Sequence, residues 1–316
     1  MPKLRGLPTI RQSLLDIRGG RDKLIDVSTS PCVLLVDNGS HRAESTLSLR
    51  RIAAALGEKA GERVYPVSLL HSTKVDKSEL DGEPAQIFEP FLKRQREMGV
   101  SSFLVVPFFF GHSAAIYEYM PQRVREMTTS WPDLEVRVAP PMVQIEKEAD
   151  SEVAEILADL VKKKAEEHGL NRPAVTLVDH GTPRVAVNRV RNHLATQMRA
   201  FLGDSVSVLE PSSMERREGA EYDFNEPLLE NLLGGAGFER EVVLSMLFSS
   251  PGRHAGPGGD IAQICEEAEE RHSGLRTFRS NLFATHPRVT DLLCRRRHEG
   301  LGSDPIRGEI AAPGME

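Results

Sequence analysis

The chain carries the stretch VLLVDNGS at residues 33–40 and a near copy of it, VTLVDHGT, at residues 175–182. Each copy begins with a short apolar run, which is typical of a strand buried on both faces of a sheet. Each run ends in an aspartate, a polar residue and a glycine. The polar residue is Asn38 in the first copy and His180 in the second. The repeat therefore indicates an internal duplication that differs at a strand end.

A second pair of positions repeats with the same separation along the chain. His112 follows one later apolar run, and His254 follows another. The separation between Asn38 and His180 equals the separation between His112 and His254, and we call it the repeat spacing. The duplicated unit is thus expected to present a polar residue at the ends of two of its strands.

Strand-like and helix-like patterns alternate between residues 31 and 300, which is typical of βαβ units and parallel sheets. The predicted strands cover residues 33–37, 64–70, 103–109, 134–138, 175–179, 206–209, 242–247 and 275–278. The predicted helices cover residues 44–56, 85–98, 114–127, 147–168, 185–201, 226–233, 260–271 and 287–297. The sequence therefore predicts an α/β protein with two similar, open, four-stranded parallel sheets of flavodoxin-like type.

Four segments are expected along the chain. Residues 1–30 form an N-terminal extension with a helical turn near residues 10–17, and residues 31–170 form the first domain. Residues 171–300 form the second domain. The tail at residues 301–316 has glycine, proline and charge without a period, so we expect it to be disordered.

Composition excludes several classes of protein. The chain has 316 residues, 40% hydrophobic content and a net charge of −6, which is typical of soluble globular proteins and not of nucleic-acid binders. No apolar run approaches the roughly 18 residues of a membrane span, and the N-terminus has no apolar signal segment. The three cysteines are unclustered, as expected in a reducing compartment. These features predict a cytoplasmic protein without nucleic-acid or membrane partners.

The strand ends suggest a polar site. In open parallel sheets ligands bind at the carboxyl ends of the strands, so His180 and His254 are expected in one crevice. The strand between them ends in LEPSSME at residues 209–215, which offers Glu210 or Glu215. Two imidazoles and a carboxylate suit a divalent first-row metal ion and can accept protons. The alternative is that each histidine is a structural residue at a strand end.

Together these motifs resemble the class II tetrapyrrole chelatases, which are the sirohydrochlorin cobaltochelatases and ferrochelatases of cobalamin and siroheme biosynthesis. The resemblance rests on the Asp-His-Gly-Thr stretch, on PFFFGH at residues 107–112 and on MLFSSPGRH at residues 246–254. It includes an acidic residue six positions after each histidine, Glu118 and Asp260. It covers roughly residues 31–298 and corresponds to the long, duplicated form, with a chelatase-like fold in each half.

The resemblance implies a lyase in which His180 and His254 bind the incoming metal ion and accept protons from the macrocycle. It implies that a glutamate after the second strand assists them, with Glu215 preferred and Glu210 as the alternative. The substrate metal is Co²⁺ or Fe²⁺, with Ni²⁺ as a further candidate, and no organic cofactor is required. The glycine-rich stretch at residues 251–259 is interpreted as a loop over a large ligand.

The first half is expected to be a degenerate copy. Its counterparts of the three site residues are Asn38, His112 and, approximately, His71. An amide does not accept a proton at neutral pH and is a poor ligand for Co²⁺ or Fe²⁺. The first half is therefore predicted to serve as structure or as a wall of the tetrapyrrole cleft.

The implied substrate is sirohydrochlorin, a macrocycle with many carboxylates. Arginine binds carboxylates through two parallel donors, so Arg184, Arg216 and Arg253 are predicted to bind it, together with Arg217. The chain is expected to be a monomer, with a dimer as the alternative. Two other functions stay open: a metal or tetrapyrrole carrier without turnover, and a small-molecule binder that uses no metal.

Overall fold

The computed structural model describes residues 30–147 and 149–306. The predicted extension at residues 1–30, with its helical turn, therefore lies outside the described residues except for Ser30. The last ten residues, 307–316, lie outside them as well. In the described part of the chain, no helix combines the length and the apolar content that crossing a membrane requires.

The described residues contain two separate four-stranded sheets, and all strand pairs in both are parallel. The strands are β1 (Cys32–Asp37), β2 (Val64–Ser68), β3 (Ser102–Pro107), β4 (Glu135–Val138), β5 (Ala174–Asp179), β6 (Val208–Ser213), β7 (Glu241–Met246) and β8 (Arg276–Arg279). Their orders are β2-β1-β3-β4 and β6-β5-β7-β8. The two sheets thus have the same topology, which confirms the predicted α/β fold.

Helices follow the strands as the alternating pattern predicts. They are α1 (Ala43–Ala60), α2 (Phe88–Glu97), α3 (Met120–Thr128), α4 (Glu152–Glu167), α5 (Val185–Leu202), α6 (Leu229–Leu232), α7 (Asp260–Arg271) and α8 (Arg288–Leu301). A π-helical turn at Ala115–Tyr119 leads into α3. The helices α1 and α5 have 18 residues each, and their first residues are separated by the repeat spacing.

The turns after β1 and β5 have the same geometry, and this geometry requires glycine in both. Gly39 has φ 87° and Gly181 has φ 90°, a region that favours residues without a Cβ. A Cβ on Gly39 would lie 1.8 Å from the carbonyl oxygen of Leu70, and one on Gly181 would lie 1.9 Å from that of Glu215. The repeated Asp-X-Gly stretch is therefore a sharp turn that passes close to the end of the neighbouring strand.

Each half gives its last helix to the other sheet. Helix α4 packs against α5 and β7, and α8 packs against α1, β3 and β4. Gly300 of α8 permits this close approach, since a Cβ there would lie 2.6 Å from Ala139. A single buried apolar cluster consequently contains residues of both sheets, among them Leu35 and Leu177. The division into domains at residues 31–170 and 171–300 stays a prediction. It describes the two copies in the sequence, whereas in space each sheet is covered in part by a helix of the other copy.

The described end of the chain is ordered. Helix α8 ends at Leu301, and the residues after it return to the first sheet. Ile306 is 6% exposed, and its N–H donates to the carbonyl oxygen of Val136 at 2.8 Å. The prediction of a disordered tail from residue 301 is therefore wrong for residues 301–306, because an apolar side chain near the end fills a gap beside β4.

Candidate functional site

One cavity of about 810 Å³ is formed by loops from both halves of the chain. It is lined by Asn38, Gly39, Ser40, His41, Arg42, Ser45 and His71 from the first half and by His180, Gly252, Arg253 and His254 from the second. Four of the ten histidines of the chain line it. Its described lining includes two arginines and no carboxylate, so the cavity suits an anionic ligand.

Two of these histidines meet. His180 directly follows β5, and His254 lies in the loop between β7 and α7. Their ring centroids are 4.5 Å apart, with the ring planes inclined at 71°. The structure therefore brings together two residues that are far apart in sequence, at the carboxyl ends of neighbouring strands.

Hydrogen bonds orient both rings in the same sense. Nδ1 of His254 lies 2.5 Å from Oδ2 of Asp260, the first residue of α7. Nδ1 of His180 lies 3.1 Å from the carbonyl oxygen of Gly181. A carboxylate and a carbonyl only accept hydrogen bonds, so each neutral ring carries its proton on Nδ1. Both Nε2 atoms then offer a lone pair, which is the state that a metal ligand or a base requires.

Glu215 adjoins this pair, whereas Glu210 does not. Oε1 of Glu215 lies 3.4 Å from Nε2 of His180, and the N–H of Glu215 donates to the carbonyl oxygen of His180 at 3.2 Å. Glu210 lies within β6, where its carboxylate pairs with Arg199 at 3.1 Å. Of the two glutamates that the sequence left open, Glu215 therefore shares the site. An imidazole lone pair facing a carboxylate leaves a place that a proton or a cation can fill.

Residues 30–147 and 149–306 contain no group of three or more His, Cys, Asp or Glu side chains that could hold a metal ion. The two imidazoles alone would leave most positions around an ion open. An open coordination sphere suits an ion that another molecule must reach, as catalytic metal sites illustrate.

A buried network supports the loop of His180. Arg191 of α5 is 1% exposed, and its guanidinium donates to Oγ of Ser213 and to the carbonyl oxygen of Asn225. It also lies 3.8 Å from the carboxylate of Asp179. The Asn225 side chain in turn bonds both the N–H and the carbonyl oxygen of Thr182. Burial raises the pKa of Asp179, and Arg191 and Ser213 oppose that shift.

The first half has no carboxylate at the position that corresponds to Glu215. Strand pairing matches Asp37 with Ser68 and Asp179 with Ser213, so the counterpart of Glu215 is Leu70. The approximate assignment of His71 to that position is displaced by one residue, because in this register His71 corresponds to Arg216.

Among the described residues, no cation lies beside the buried aspartate of the first half, Asp37. The position that precedes Arg191 by the repeat spacing is Leu49. Oδ1 of Asp37 is buried and has no hydrogen-bond partner among the described residues. Burial raises the pKa of Asp37 to about 6, and the hydrogen bond from Ser68 only partly opposes this.

His112 does not line the cavity. Its ring lies against Tyr117, with centroids 4.5 Å apart, and burial lowers its pKa. His112 comes five residues after the end of β3, whereas His254 comes eight residues after the end of β7. The two histidines have the repeat spacing, although the loops that carry them differ in length. Asn38 and His71 line the cavity, whereas His112 does not.

The arginines predicted to bind substrate lie in different places in the structure. Arg253 lines the cavity with its side chain 77% exposed. Arg184 instead forms a two-pronged ion pair with Glu118 of the first half, in which Nη2 and Oε2 are 3.0 Å apart. Arg216 pairs with Asp223 and Glu226. The remaining candidate, Arg217, stacks on Tyr222. Of the four arginines, only Arg253 therefore belongs to the cavity.

Sequence reasoning missed His41 and Arg42, which both line the cavity. Arg42 could have been found, because it precedes Arg184 by the repeat spacing. His41 has no such signal, since the matching residue is Pro183.

Comparisons with known proteins identify related folds. Residues 32–164 match the CbiX family model. No curated protein matches the sequence. The structure resembles that of SirB from Bacillus subtilis with Fe³⁺, with a TM-score of 0.61 and 14% identity over 86% of this chain and 96% of that chain. It also resembles the sirohydrochlorin chelatase SirB from Bacillus subtilis subspecies spizizenii in complex with cobalt, with a TM-score of 0.55 and 16% identity over 85% of this chain and 94% of that chain.

A third similar structure is that of CbiX, described as the terminal enzyme for biosynthesis of siroheme in denitrifying bacteria. Its TM-score is 0.51, with 12% identity over 84% of this chain and 97% of that chain. At these identities the three structures establish a shared fold over nearly their whole length. The family match itself covers the half that carries Asn38 and not the half that carries His180.

Proposed function

We propose that the chain is a member of the CbiX family, whose model matches residues 32–164, and that it inserts a divalent metal ion into sirohydrochlorin. The observation that carries the proposal is the pair of imidazoles, His180 and His254, whose centroids are 4.5 Å apart on a cavity of about 810 Å³. The similar SirB structures hold Fe³⁺ and cobalt. Their ions support Fe²⁺ or Co²⁺ as the metal substrate.

The cavity suits the proposed macrocycle in charge and in form. Arg42 and Arg253 line it, and both can bind carboxylates in a two-pronged manner. Ligand cavities typically have volumes of roughly 300–1,000 Å³, and this one, at about 810 Å³, lies within that range. The side chains of Asn38 and Ser40 add neutral hydrogen-bonding groups.

Insertion requires that the metal ion be held loosely and that two pyrrole protons be removed. We assign the first role to Nε2 of His180 and Nε2 of His254, which both carry lone pairs. The pyrrole nitrogens replace the imidazoles on the ion, and the two pyrrole protons pass to the Nε2 atoms that are thereby released, or to Glu215. The doubly deprotonated macrocycle then neutralises the ion, so charge and atoms balance.

A carboxylate lies beside each of the two imidazoles. Asp260 at Nδ1 of His254 stabilises an imidazolium there, and Glu215 does the same for His180. In each case a negative group lies beside the ring that gains positive charge. This geometry supports the histidines as proton acceptors as well as ligands.

The direct test follows the absorbance of sirohydrochlorin with Co²⁺, Fe²⁺ or Ni²⁺ added in turn. We expect a time-dependent spectral change with the wild-type chain that the His180→Ala/His254→Ala double variant does not produce. His298→Ala, an exposed position of α8, serves as the control. Equal rates in the double variant and the wild type would reject the proposal. Binding of the macrocycle without metal-dependent turnover would instead identify a carrier.

A further inference from the structure

We propose that His41 and His71 form a second binding site for a divalent first-row metal ion, on the first-half wall of the same cavity. Both residues line the cavity. The proposal concerns metal binding alone, so it does not depend on whether the chain inserts metal into a macrocycle.

The separation of the two rings fits a shared ion. The ring centroids of His41 and His71 are 5.5 Å apart, with the planes inclined at 46°. Bonds of about 2.0–2.1 Å from imidazole nitrogen to a first-row ion place the centroids of two ligands roughly 4.5–5.5 Å apart. The centroid separation thus permits one ion to be bound by a nitrogen of each ring.

Neither ring is used to hold the fold together. No hydrogen bond or ion pair joins a ring nitrogen of His41 or His71 to any residue in the described part of the chain. Both residues are exposed to the cavity. This differs from His254, whose Nδ1 is bound by Asp260. The first-half pair therefore keeps its nitrogens available for a ligand.

The backbone at His71 is strained in a way that suggests a function for its side chain. His71 has φ 65° and ψ −40°, and the N–H of Ser72 donates to the carbonyl oxygen of Leu70 at 2.8 Å. This is a γ-turn with positive φ, which is a rare and strained turn. Glycine would adopt it at less cost, and strained non-glycine residues cluster at functional sites. We infer that the imidazole is the reason why the strain persists.

The matching turn of the second half has no such strain. By strand pairing the counterpart of His71 is Arg216, and Arg216 is absent from the described non-glycine residues with positive φ, which are His71, Asp81 and Arg172. The strained imidazole is therefore a feature of the first half alone.

The second site is expected to be the weaker of the two. Arg42 adjoins His41 in the chain and lines the same cavity, and its charge opposes cation binding. The pair formed by His180 and His254 has the Glu215 carboxylate beside it, whereas His41 and His71 have no carboxylate on their described wall of the cavity.

Equilibrium dialysis of the full chain with Co²⁺ tests the proposal. We expect two ions per wild-type chain, one for His41→Ala/His71→Ala, one for His180→Ala/His254→Ala and two for the His298→Ala control. The proposal is overturned if the wild type saturates at one ion, or if His41→Ala/His71→Ala still binds two. The latter result would fit imidazoles that contact substrate carboxylates beside Arg42. Failure of the proposed chelatase site would appear separately, as an unchanged count in His180→Ala/His254→Ala.

A single substitution separates loss of a ligand from loss of structure. Glycine tolerates the positive φ of residue 71, so His71→Gly should keep the turn while it removes the imidazole. We expect this variant to lose the weaker Co²⁺ site with a Tm at least equal to that of the wild type. Retention of both ions by His71→Gly would refute the second site.

Discussion

The turn after β1 and the turn after β5 share one backbone and differ in nearly every functional side chain. Both pass a glycine close to the neighbouring strand, and both lead into a helix of 18 residues. Where the second half has His180 in this turn, Glu215 after β6 and Arg191 in α5, the first half has Asn38, Leu70 and Leu49 at the matching positions. Backbone geometry and chemistry are therefore separable in this protein, because the turn is kept where the reactive groups are absent.

The two halves also differ in the buried residues beneath these turns. In the second half a buried guanidinium, Arg191, lies 3.8 Å from Asp179 and bonds the strand end that carries Glu215. In the first half Asp37 is buried, and no cation lies beside it among the described residues. The site residues and the network beneath them thus differ together, as expected if the network serves to position the site.

The largest difference is expected in activity. His180→Ala should lower the rate of metal insertion by about 10²- to 10⁴-fold, because it removes a base and a ligand. Asn38→Ala should lower the rate far less, since the amide supplies neither a base nor a metal ligand and contributes at most a hydrogen bond to the macrocycle. Initial rates by absorbance with sirohydrochlorin and Co²⁺ give the comparison. Similar losses in both variants would contradict the assignment of the working half.

The next effect concerns stability. Arg191→Leu copies the first half into the second and leaves the buried Asp179 without its cation. Removal of one partner from a buried ion pair costs about 3–5 kcal/mol. We expect the free energy of unfolding in urea to fall by that amount at pH 7.5. The double variant Arg191→Leu/Asp179→Asn should recover part of it, and failure to recover would assign the loss to packing instead.

A smaller effect of opposite sign is expected at Asp37. Burial raises its pKa from 3.8 to about 6 in the folded protein. The folded state therefore binds the proton more tightly, and its stability falls as the pH rises from about 4 to about 6. Above that range Asp37→Asn should be more stable than the wild type by on the order of 2–3 kcal/mol, and below it the difference should vanish.

Asp179→Asn is the matched control for that experiment. It leaves Arg191 buried without a counter-charge, so this variant should lose stability at pH 7.5 where Asp37→Asn gains it. Urea unfolding of both variants at pH 4 and pH 7.5, followed by circular dichroism, gives the two signs. The same sign in both would mean that Arg191 does not distinguish the two halves.

The smallest effect distinguishes the two glutamates of the second half. Glu215→Gln removes the charge beside Nε2 of His180 and should weaken Co²⁺ binding about tenfold, as is usual for a carboxylate that supports a metal ligand. Glu210→Gln should have no effect, because that side chain pairs with Arg199. Co²⁺ affinity by dialysis checks both, and a larger loss in Glu210→Gln would reverse the assignment.

The repeated stretch predicted the sheets and the pair formed by His180 and His254, because strand ends in parallel sheets converge. The end of β6 was predicted too early, at residue 209, because Pro211 reads as a strand breaker. Strand β6 lies at the edge of its sheet, where proline is tolerated. That continuation moves Glu210 into the strand and brings Glu215 to the site.

Other features had no local signal. His41 stands in a loop without a period, so no pattern connects it to His71. Arg184 and Arg216 were plausible carboxylate binders by type, but their acidic partners come from elements whose positions the sequence does not reveal. Apolar periodicity shows which face of α4 is buried, but not which sheet buries it.

The exchange of α4 and α8 makes the halves inseparable. A polypeptide cut near residue 170 would carry α4 without β7, and its sheet would lack the cover that α8 provides. Either fragment alone would expose apolar surface to water and aggregate. A chain of this design can lose the reactive groups of one half, but loss of the whole half would remove a helix that covers the sheet of the other.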